Sequence, residues 1–547
     1  MSNLASLACL DVPAWTARIG GPTGRHARVT RSVWFNPVPW AIVAAVFTWV
    51  VLMVRQNPCW QTVVGRVPNS NAWMCYSDIP VLFQNRPNMW SNGPLYGDGL
   101  SLATPKLEYP PLTGGLIWVS RWLAGVFGAV MSPTATDAQR LAAANTFWAV
   151  SAGILAVCFG LLVWTHLQMG RDSASPHTDG VRTRAWDALL IAAAPTVMLA
   201  GLINWDMMAV ALTSLGLLLW ARRHPFAAGL IIGLAASAKF YPLAIVPVLL
   251  LLCLRAGRLR AWGVFAAGFA VAWLAVDLPL MIKSFDSWSY FWTYNAARGP
   301  DLGSLWYVLT LMGLPVSNVS VAEVVCLVVC GGVIVGLTLS APRRPRIAQV
   351  ALLVLVAFLA FNKVYSPQYV LWLLPLVVLA RPVVMDLLVF TISESLYFFA
   401  LWGFLDGVLG IGSGPDRLYW IAVGLRIGVQ FWLAGHVIRD MWQPWNDPVR
   451  GPFVDDPIGG VLNHTPDAAW LLRPAVAVAD EGQPAAPPVE DQAAEAQDTD
   501  AQVADAPAVE PQVAASPPAE APPSPSEPAL GTLVVVKTPR RRLGHGS

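Results

Sequence analysis

Apolar positions along this 547-residue chain do not alternate with polar ones; they collect into runs. The runs fall at about 39–54, 141–167, 188–202, 207–221, 226–238, 241–254, 262–281, 321–340, 347–361, 369–380, 383–402 and 417–437. A segment apolar on every side is a helix buried in a core or bathed in lipid. Several runs fall short of the ~20 residues that a full crossing takes, a length tolerated where a helix lines a cavity inside protein. The pattern predicts an all-α polytopic membrane protein with about twelve transmembrane helices. Composition agrees: 55% of residues are hydrophobic and 12% charged, against roughly 25% charged in soluble domains. Lipid has to be the solvent for most of the surface.

Basic clusters set the expected orientation. Arg222-Arg223-His224, Arg255 to Arg260, Arg343-Arg344-Pro345-Arg346 and Arg381 fall at every second turn between runs, which predicts those turns to be cytoplasmic. The first run begins late, after Arg18, Arg25, Arg28 and Arg31, without a cleavage site behind it. It therefore reads as an uncleaved span rather than a signal peptide. The stretch 111–130 is apolar enough to cross, but crossing would place Arg171, Arg182 and Arg184 outside. Laid along the outer surface, with Arg121 at its middle, it keeps every basic cluster inside. The expectation is a plasma-membrane protein with both termini cytoplasmic and a long outer loop from 56 to 140 carrying a surface helix. Three regions result: a basic cytoplasmic arm 1–37, a membrane domain 38–440 and a tail 441–547. Between Arg473 and Lys537 the tail has no Lys or Arg and is dense in Ala, Pro, Glu and Asp, a composition that predicts disorder.

The polar residues worth attention sit on the outward turns, where ionisable groups near membrane depth mark sites. They include Asp78, Glu108, Asp206, Lys239, Arg298, Asp301 and Lys363, with Tyr109, Gln368 and Tyr369 beside them. No histidine falls on that face, so a general base there would be a carboxylate. Asp78, in Cys75-Tyr76-Ser77-Asp78-Ile79-Pro80, is the leading candidate; the plain alternative is a turn or cap residue. Glu108 and Asp206 read equally as helix-start carboxylates. Lys239, Arg298 and Lys363 come from separate outward turns and suit a phosphate held by charge-assisted hydrogen bonds; alternatively they snorkel to the interface. The tryptophans read as interfacial anchors or packing. Cys59 and Cys75 share the outer loop, and a disulfide between them is one arrangement it allows. Cys158, Cys253, Cys326 and Cys330 read as packing residues. There is no GxxxxGK[ST] phosphate loop, no His/Cys metal cluster and no serine nucleophile elbow.

These outward motifs resemble those of the GT-C glycosyltransferases, and most closely glycosyltransferase family 87, over about residues 38–440. The carriers are Tyr76-Ser77-Asp78, Glu108-Tyr109-Pro110-Pro111-Leu112, Asn204-Trp205-Asp206, Ala238-Lys239-Phe240-Tyr241-Pro242, Arg298-Gly299-Pro300-Asp301 with Ser304-Leu305-Trp306, and Asn362-Lys363-Val364-Tyr365-Ser366-Pro367-Gln368-Tyr369. The resemblance implies the GT-C fold and a polyprenyl-phosphate sugar donor, with mannose the first sugar and arabinose the next. It also implies inverting transfer in one displacement to a cell-envelope glycolipid or polysaccharide, with Asp78 as base. Glu108, Asp206 and Asp301 would be supporting carboxylates, and Lys239, Arg298 and Lys363 the donor-phosphate ligands. Tyr76, Tyr109, Asn204, Tyr241, Ser304, Asn362, Tyr365, Gln368 and Tyr369 would line the substrate. Neither a metal nor another cofactor is expected, and the partners are donor, acceptor and membrane lipids, not nucleic acid. The tail's partner is left open. Some relatives use an outer-face histidine, which this chain lacks. A lipid-linked-sugar transporter is the rival from another class; it would spread polar groups through the spans, where Asp277 and Glu394 are among few buried charges. A scaffold anchored by the membrane domain is a third reading.

Overall fold

The computed structural model describes residues 36–97, 100, 106–172, 184–409, 416–450 and 455–471, and every regular element among them is helical. The expectations for the arm before Asn36, for Arg182 and for the tail beyond Leu471 lie outside the described residues. In chain order the helices are α1 (Pro37–Gln56), α2 (Asp78–Asn85), α3 (Pro111–Val126), α4 (Asp137–Asp172), α5 (Asp206–Ala221), α6 (Pro225–Ala238), α7 (Ile245–Arg255) and α8 (Leu259–Lys283). They continue with α9 (Phe285–Ala297), α10 (Leu305–Leu311), α11 (Val319–Ser340), α12 (Ile347–Phe361), α13 (Val370–Ala380), α14 (Val384–Leu405) and α15 (Arg417–Trp442).

Among the described residues six helices are long and apolar enough to cross a membrane: α1, α4, α8, α11, α14 and α15. The chain is a multi-pass membrane protein. In α11 only 6% of the most apolar window is buried, so its valines have lipid as their only suitable neighbour. The shorter apolar helices α5, α6, α7, α12 and α13 play the opposite part. Nearly all of α12 and α13 is buried, which is what helices apolar on every face require. Where α6 crosses α8 the backbones nearly touch. A Cβ on Gly229 would stand 1.9 Å from Phe265 O, and one on Gly268 would stand 2.2 Å from Phe226 O. Glycine is needed there because dispersion between close backbones holds helices together in lipid.

Local chemistry sets the helix ends. Asn36 caps α1 by accepting from the Val38 amide at 3.1 Å, with Pro37 in the first turn. The run 188–202, expected as one span, is broken into a 3₁₀ turn at Arg184–Ala188 and short helices at Leu189–Ala192 and Pro195–Ala200. Pro195 lacks an amide proton and holds Ala194 extended, with ψ 121°. Thr48 of α1 satisfies the freed Ala192 carbonyl at 2.7 Å. Arg55, at the end of α1, donates to Met198 O and Leu199 O at 2.9 and 2.7 Å.

Two expectations need correction. Arg121 does not lie exposed along α3. It is 4% exposed and donates to Asn88 O and Gly93 O at 3.0 and 2.8 Å, clamping the first loop onto the helix. Nor does the membrane domain stop at 440. Asp447, fully buried, forms a two-pronged pair with Arg346 at 2.8 and 2.9 Å. Asp467 pairs with Arg255 at 2.7 Å, and the Ala468 amide bonds Arg255 O. Residues 441–450 and 455–471 thus pack as part of the domain, because Arg255 at the end of α7 and the arginines between α11 and α12 take their aspartates as partners. A further buried pair joins Glu394 of α14 to Arg426 of α15 at 2.9 Å, in contact with Tyr365 and Tyr397. These charges bind two helices together rather than line a pathway.

Candidate active site

The end of the bundle opposite those arginines gathers the residues singled out from sequence. The Asp78 amide bonds Ile203 O at 2.7 Å, and Ser77 Oγ donates to Leu202 O at 2.6 Å. The start of α2 is therefore fastened to the Leu202–Asn204 turn. A disulfide between Cys59 and Cys75 ties the preceding loop to the end of α1.

Asp78 is held by neutral donors on both oxygens. Tyr76 donates its hydroxyl to Oδ1 at 2.8 Å and Asn204 Nδ2 to Oδ2 at 3.0 Å. Asn204 also reaches the Tyr109 hydroxyl at 3.0 Å. Burial raises the Asp78 pKa above the ordinary carboxylate range and the Asp206 charge adds to it, against the Tyr76 and Asn204 hydrogen bonds and the Lys239 charge. Burial together with the Asp78 charge pushes the Tyr76 and Tyr109 phenols up. Ser77, not Asp78, is the helix cap, accepting from the Ile79 amide at 3.3 Å. The plain reading of Asp78 as the cap therefore loses its structural basis.

Next to this group stands Asp206, with no exposed surface. Its Oδ1 accepts from Trp372 Nε1 at 2.9 Å and faces Lys239 Nζ at 3.4 Å, whereas Oδ2 is buried without a partner among the described residues. Lys239 also lies over the Tyr109 ring at 5.2 Å. Tyr241 and Tyr369 stack on Trp372, at 4.7 and 3.8 Å between centroids. Gln368 Oε1 is a second buried acceptor without a donor among the described residues. Unused bonding capacity of this kind is uncommon in interiors and suits a ligand rich in hydroxyls.

The remaining predicted residues form a neighbouring cluster. Arg298 is paired with Asp301, and the Asp301 amide bonds Lys363 O at 2.8 Å. Tyr369 lies within the field of Asp206, Arg298 and Asp301, which makes it the residue between the clusters. Lys363 is 7% exposed and donates to Ala296 O and Ser320 Oγ at 2.8 and 3.1 Å, with Glu323 opposite. The three cations are thus not equivalent: Lys239 and Arg298 each face a carboxylate at a cluster edge, and Lys363 is tied into packing. Glu108 is paired with Arg86, near enough to act on Tyr76 and Tyr109.

Two residues expected to line the substrate are instead engaged by protein partners. Tyr365 is fully buried, with Gln430 at its hydroxyl and the Arg426 guanidinium 3.5 Å from its ring. Ser304 is a buried cap of α10, accepting from the Tyr307 amide at 3.1 Å. The long Asn362–Tyr369 motif serves largely to build the site's floor, and Asn362 Oδ1 accepts from the Val364 amide at 3.2 Å. Trp372 and Arg55 were missed by sequence reasoning. Trp372 falls one helical turn after Tyr369, and Arg55 is the lone cation closing the first apolar run; both positions carried a signal. Among the described residues no three His, Cys, Asp or Glu side chains gather in a metal-holding group.

Comparison with known proteins bears on this geometry directly. Residues 109–362 match the model of glycosyltransferase family 87. Over that stretch the chain is similar to the family 87 glycosyltransferases. The matched residues include Tyr109, Asn204, Asp206, Lys239, Arg298 and Asp301, while Asp78 precedes them. The chain is also similar to the polyprenol-phosphate-mannose-dependent alpha-(1-2)-phosphatidylinositol mannoside mannosyltransferase of Mycobacterium tuberculosis. The two are 27% identical over 252 residues, 43% of this chain and 52% of that relative. The chain thus spans about half the length of the curated relative it matches.

Proposed function

We propose that this protein is an inverting glycosyltransferase that takes a sugar, mannose first, from a polyprenyl-phosphate donor to a cell-envelope glycolipid or polysaccharide. The observation that carries the reading is the Asp78 carboxylate, held by Tyr76 and Asn204 at the edge of a cluster with spare acceptors. The acceptor hydroxyl gives its proton to Asp78 while its oxygen attacks the sugar's anomeric carbon. The bond from that carbon to the phosphate oxygen breaks, and polyprenyl phosphate departs with the electron pair. Lys239 and Arg298 stabilise the charge that grows on the leaving phosphate; Lys363 holds the backbone around them. A monophosphate met by two cations needs no metal in this scheme.

Twelve crossings, an α3 helix lying on the outer surface, cytoplasmic termini and an extracytoplasmic site complete the reading, supported by the alternation of basic clusters. Reporter fusions at 224, 344 and 450 should read cytoplasmic and those at 90, 135 and 295 external. A cytoplasmic signal at 135 would make α3 a span. The chemical test incubates purified full-length protein with polyprenyl-phosphate mannose, polyprenyl-phosphate arabinose and envelope glycolipid extracts. Mannosyl transfer with inverted configuration is the expected product. Transport of intact lipid-linked sugar across vesicles without transfer would overturn the assignment.

A further inference from the structure

Beside the Asp78 cluster is a hollow that the scheme above does not use. It measures about 640 Å³ counted out to its open mouth and adjoins the first turn of α2. Trp60, Gln61, Ser70, Gln84, Asn145 and Trp148 form most of its polar and aromatic wall, and Tyr76 and Ser77 close the side toward Asp78. The Cys59–Cys75 disulfide runs through the same wall. Trp60 and Trp148 meet edge to face, 5.0 Å between centroids. Asn145 gives one amide proton to Gln61 O at 2.8 Å, while the exposed Gln84 amide makes no hydrogen bond among the described residues. Among the described residues no charged side chain lines the hollow.

From this lining we infer that the hollow is the subsite for an uncharged sugar unit of the acceptor, a step that rests on the transferase reading above. Primary amides carry donors and an acceptor together, which matches neighbouring sugar hydroxyls, and indoles offer apolar faces to the sugar's C–H surface. An anionic ligand would enter without a counter-charge and lose its hydration. A lipid tail would leave the amides unpaired, and it has a better place in the wholly apolar groove between α1 and α4, lined by Val46, Trp49, Phe159 and Trp164. Tyr76 connects the hollow to the chemistry, since it lines the wall and its hydroxyl bonds Asp78 Oδ1. Gln61 and Gln84 also line a second hollow, where Arg140 lies 3.8 Å from the Trp90 ring.

The test is binding, read apart from turnover. Saturation-transfer NMR on full-length protein in nanodiscs uses methyl mannobioside as the neutral probe, with mannose 6-phosphate and galacturonate as anionic controls. The mannobioside should bind wild type and Asp78→Asn alike. It should bind at least tenfold more weakly to Gln84→Leu, Gln84→Glu and Trp60→Ala, and the anionic sugars should not compete. Gln84 is exposed and unbonded, so its variants keep the fold. Equal mannobioside binding in those variants, or equal binding of the anionic sugars, overturns the subsite. Binding that follows the pattern in a protein lacking transfer supports the subsite and defeats the transferase reading. Normal transfer with an unchanged acceptor KM in Gln84→Leu and Trp60→Ala defeats the subsite alone.

Discussion

The two ends of the helical bundle both bring acids and bases together, and they use them differently. At the end closed by Arg255, Arg344, Arg346 and Arg381, each guanidinium group is met by a carboxylate. Arg346, 1% exposed, meets Asp447 with two bonds and the Leu379 and Ala380 carbonyls with the rest. Arg255 likewise takes Thr338 O, Ala341 O and Asp467. Arg381 joins Asp386 to Asp440. At the end holding Asp78, buried Asp206 and Gln368 each keep an oxygen unpaired, and Asp78 is steadied by neutral groups rather than clamped by a cation. A buried charge pair is costly unless complete. The arginine end is held by charge pairs, whereas the Asp206 and Gln368 oxygens stand unpaired beside Asp78 among the described residues.

The sharpest way to break this contrast is Asp78→Asn. Asparagine keeps the shape but cannot take a proton, so turnover should fall by the ~10²–10⁴ that positioned acid–base groups supply, with donor binding retained. Near-normal turnover would make Asp78 part of the scaffold and move attention to Glu108 and Asp206. The same carboxylate should leave its mark on the pH profile. Since burial raises its pKa, activity is lost as pH falls, at a higher pH than an ordinary carboxylate would give. The stability effect has the opposite sign. A raised carboxyl favours the folded state at low pH and loses that contribution as pH rises through its folded pKa. Asp78→Asn should therefore gain stability over wild type at neutral pH and lose that advantage on acidification.

At the saturated end the expected effect is on folding instead. Asp447→Ala leaves Arg346 buried without its partner and should cost about 3–5 kcal/mol of stability, with turnover per folded molecule unchanged. A loss of turnover at full stability would mean that this end takes part in chemistry. Smaller again, Lys239→Ala and Arg298→Ala should weaken donor binding by roughly ten- to a hundredfold, the ~1.5–3 kcal/mol of a charged hydrogen bond. Lys363→Ala should lower stability more than donor affinity, in keeping with its bonds to Ala296 and Ser320. Equal donor defects in all three would restore Lys363 as a phosphate ligand. The mildest change is truncation after Leu471, expected to keep activity within a few-fold. Cutting after 460 instead removes Asp467 from Arg255 and Arg344 and should lower the melting temperature.

Much of this was legible in the order of residues. Long apolar runs specify helices in lipid whatever their neighbours, because unpaired backbone groups are intolerable there, and eleven of the twelve runs are continuous or nearly continuous helices. The exception, 188–202, contains Pro195, whose missing amide was visible. The chemical residues were legible as polar groups stranded between apolar runs, and Asp78, Asn204, Asp206 and Lys239 do meet. What sequence could not reveal is which partner each charge takes, since pairing depends on Ångström-scale approach between segments far apart in the chain. Arg298 might serve any anion by its position, but folding sets Asp301 against it. Tyr365 belongs to a promising motif, yet Arg426, 61 residues on, draws it into the core. The 441–471 segment reads as the start of a polar tail until Arg255 and the arginines between α11 and α12 are seen to take its aspartates. Local pattern determined the elements and the list of reactive residues; tertiary structure decided which of those residues are saturated and which remain open to a substrate.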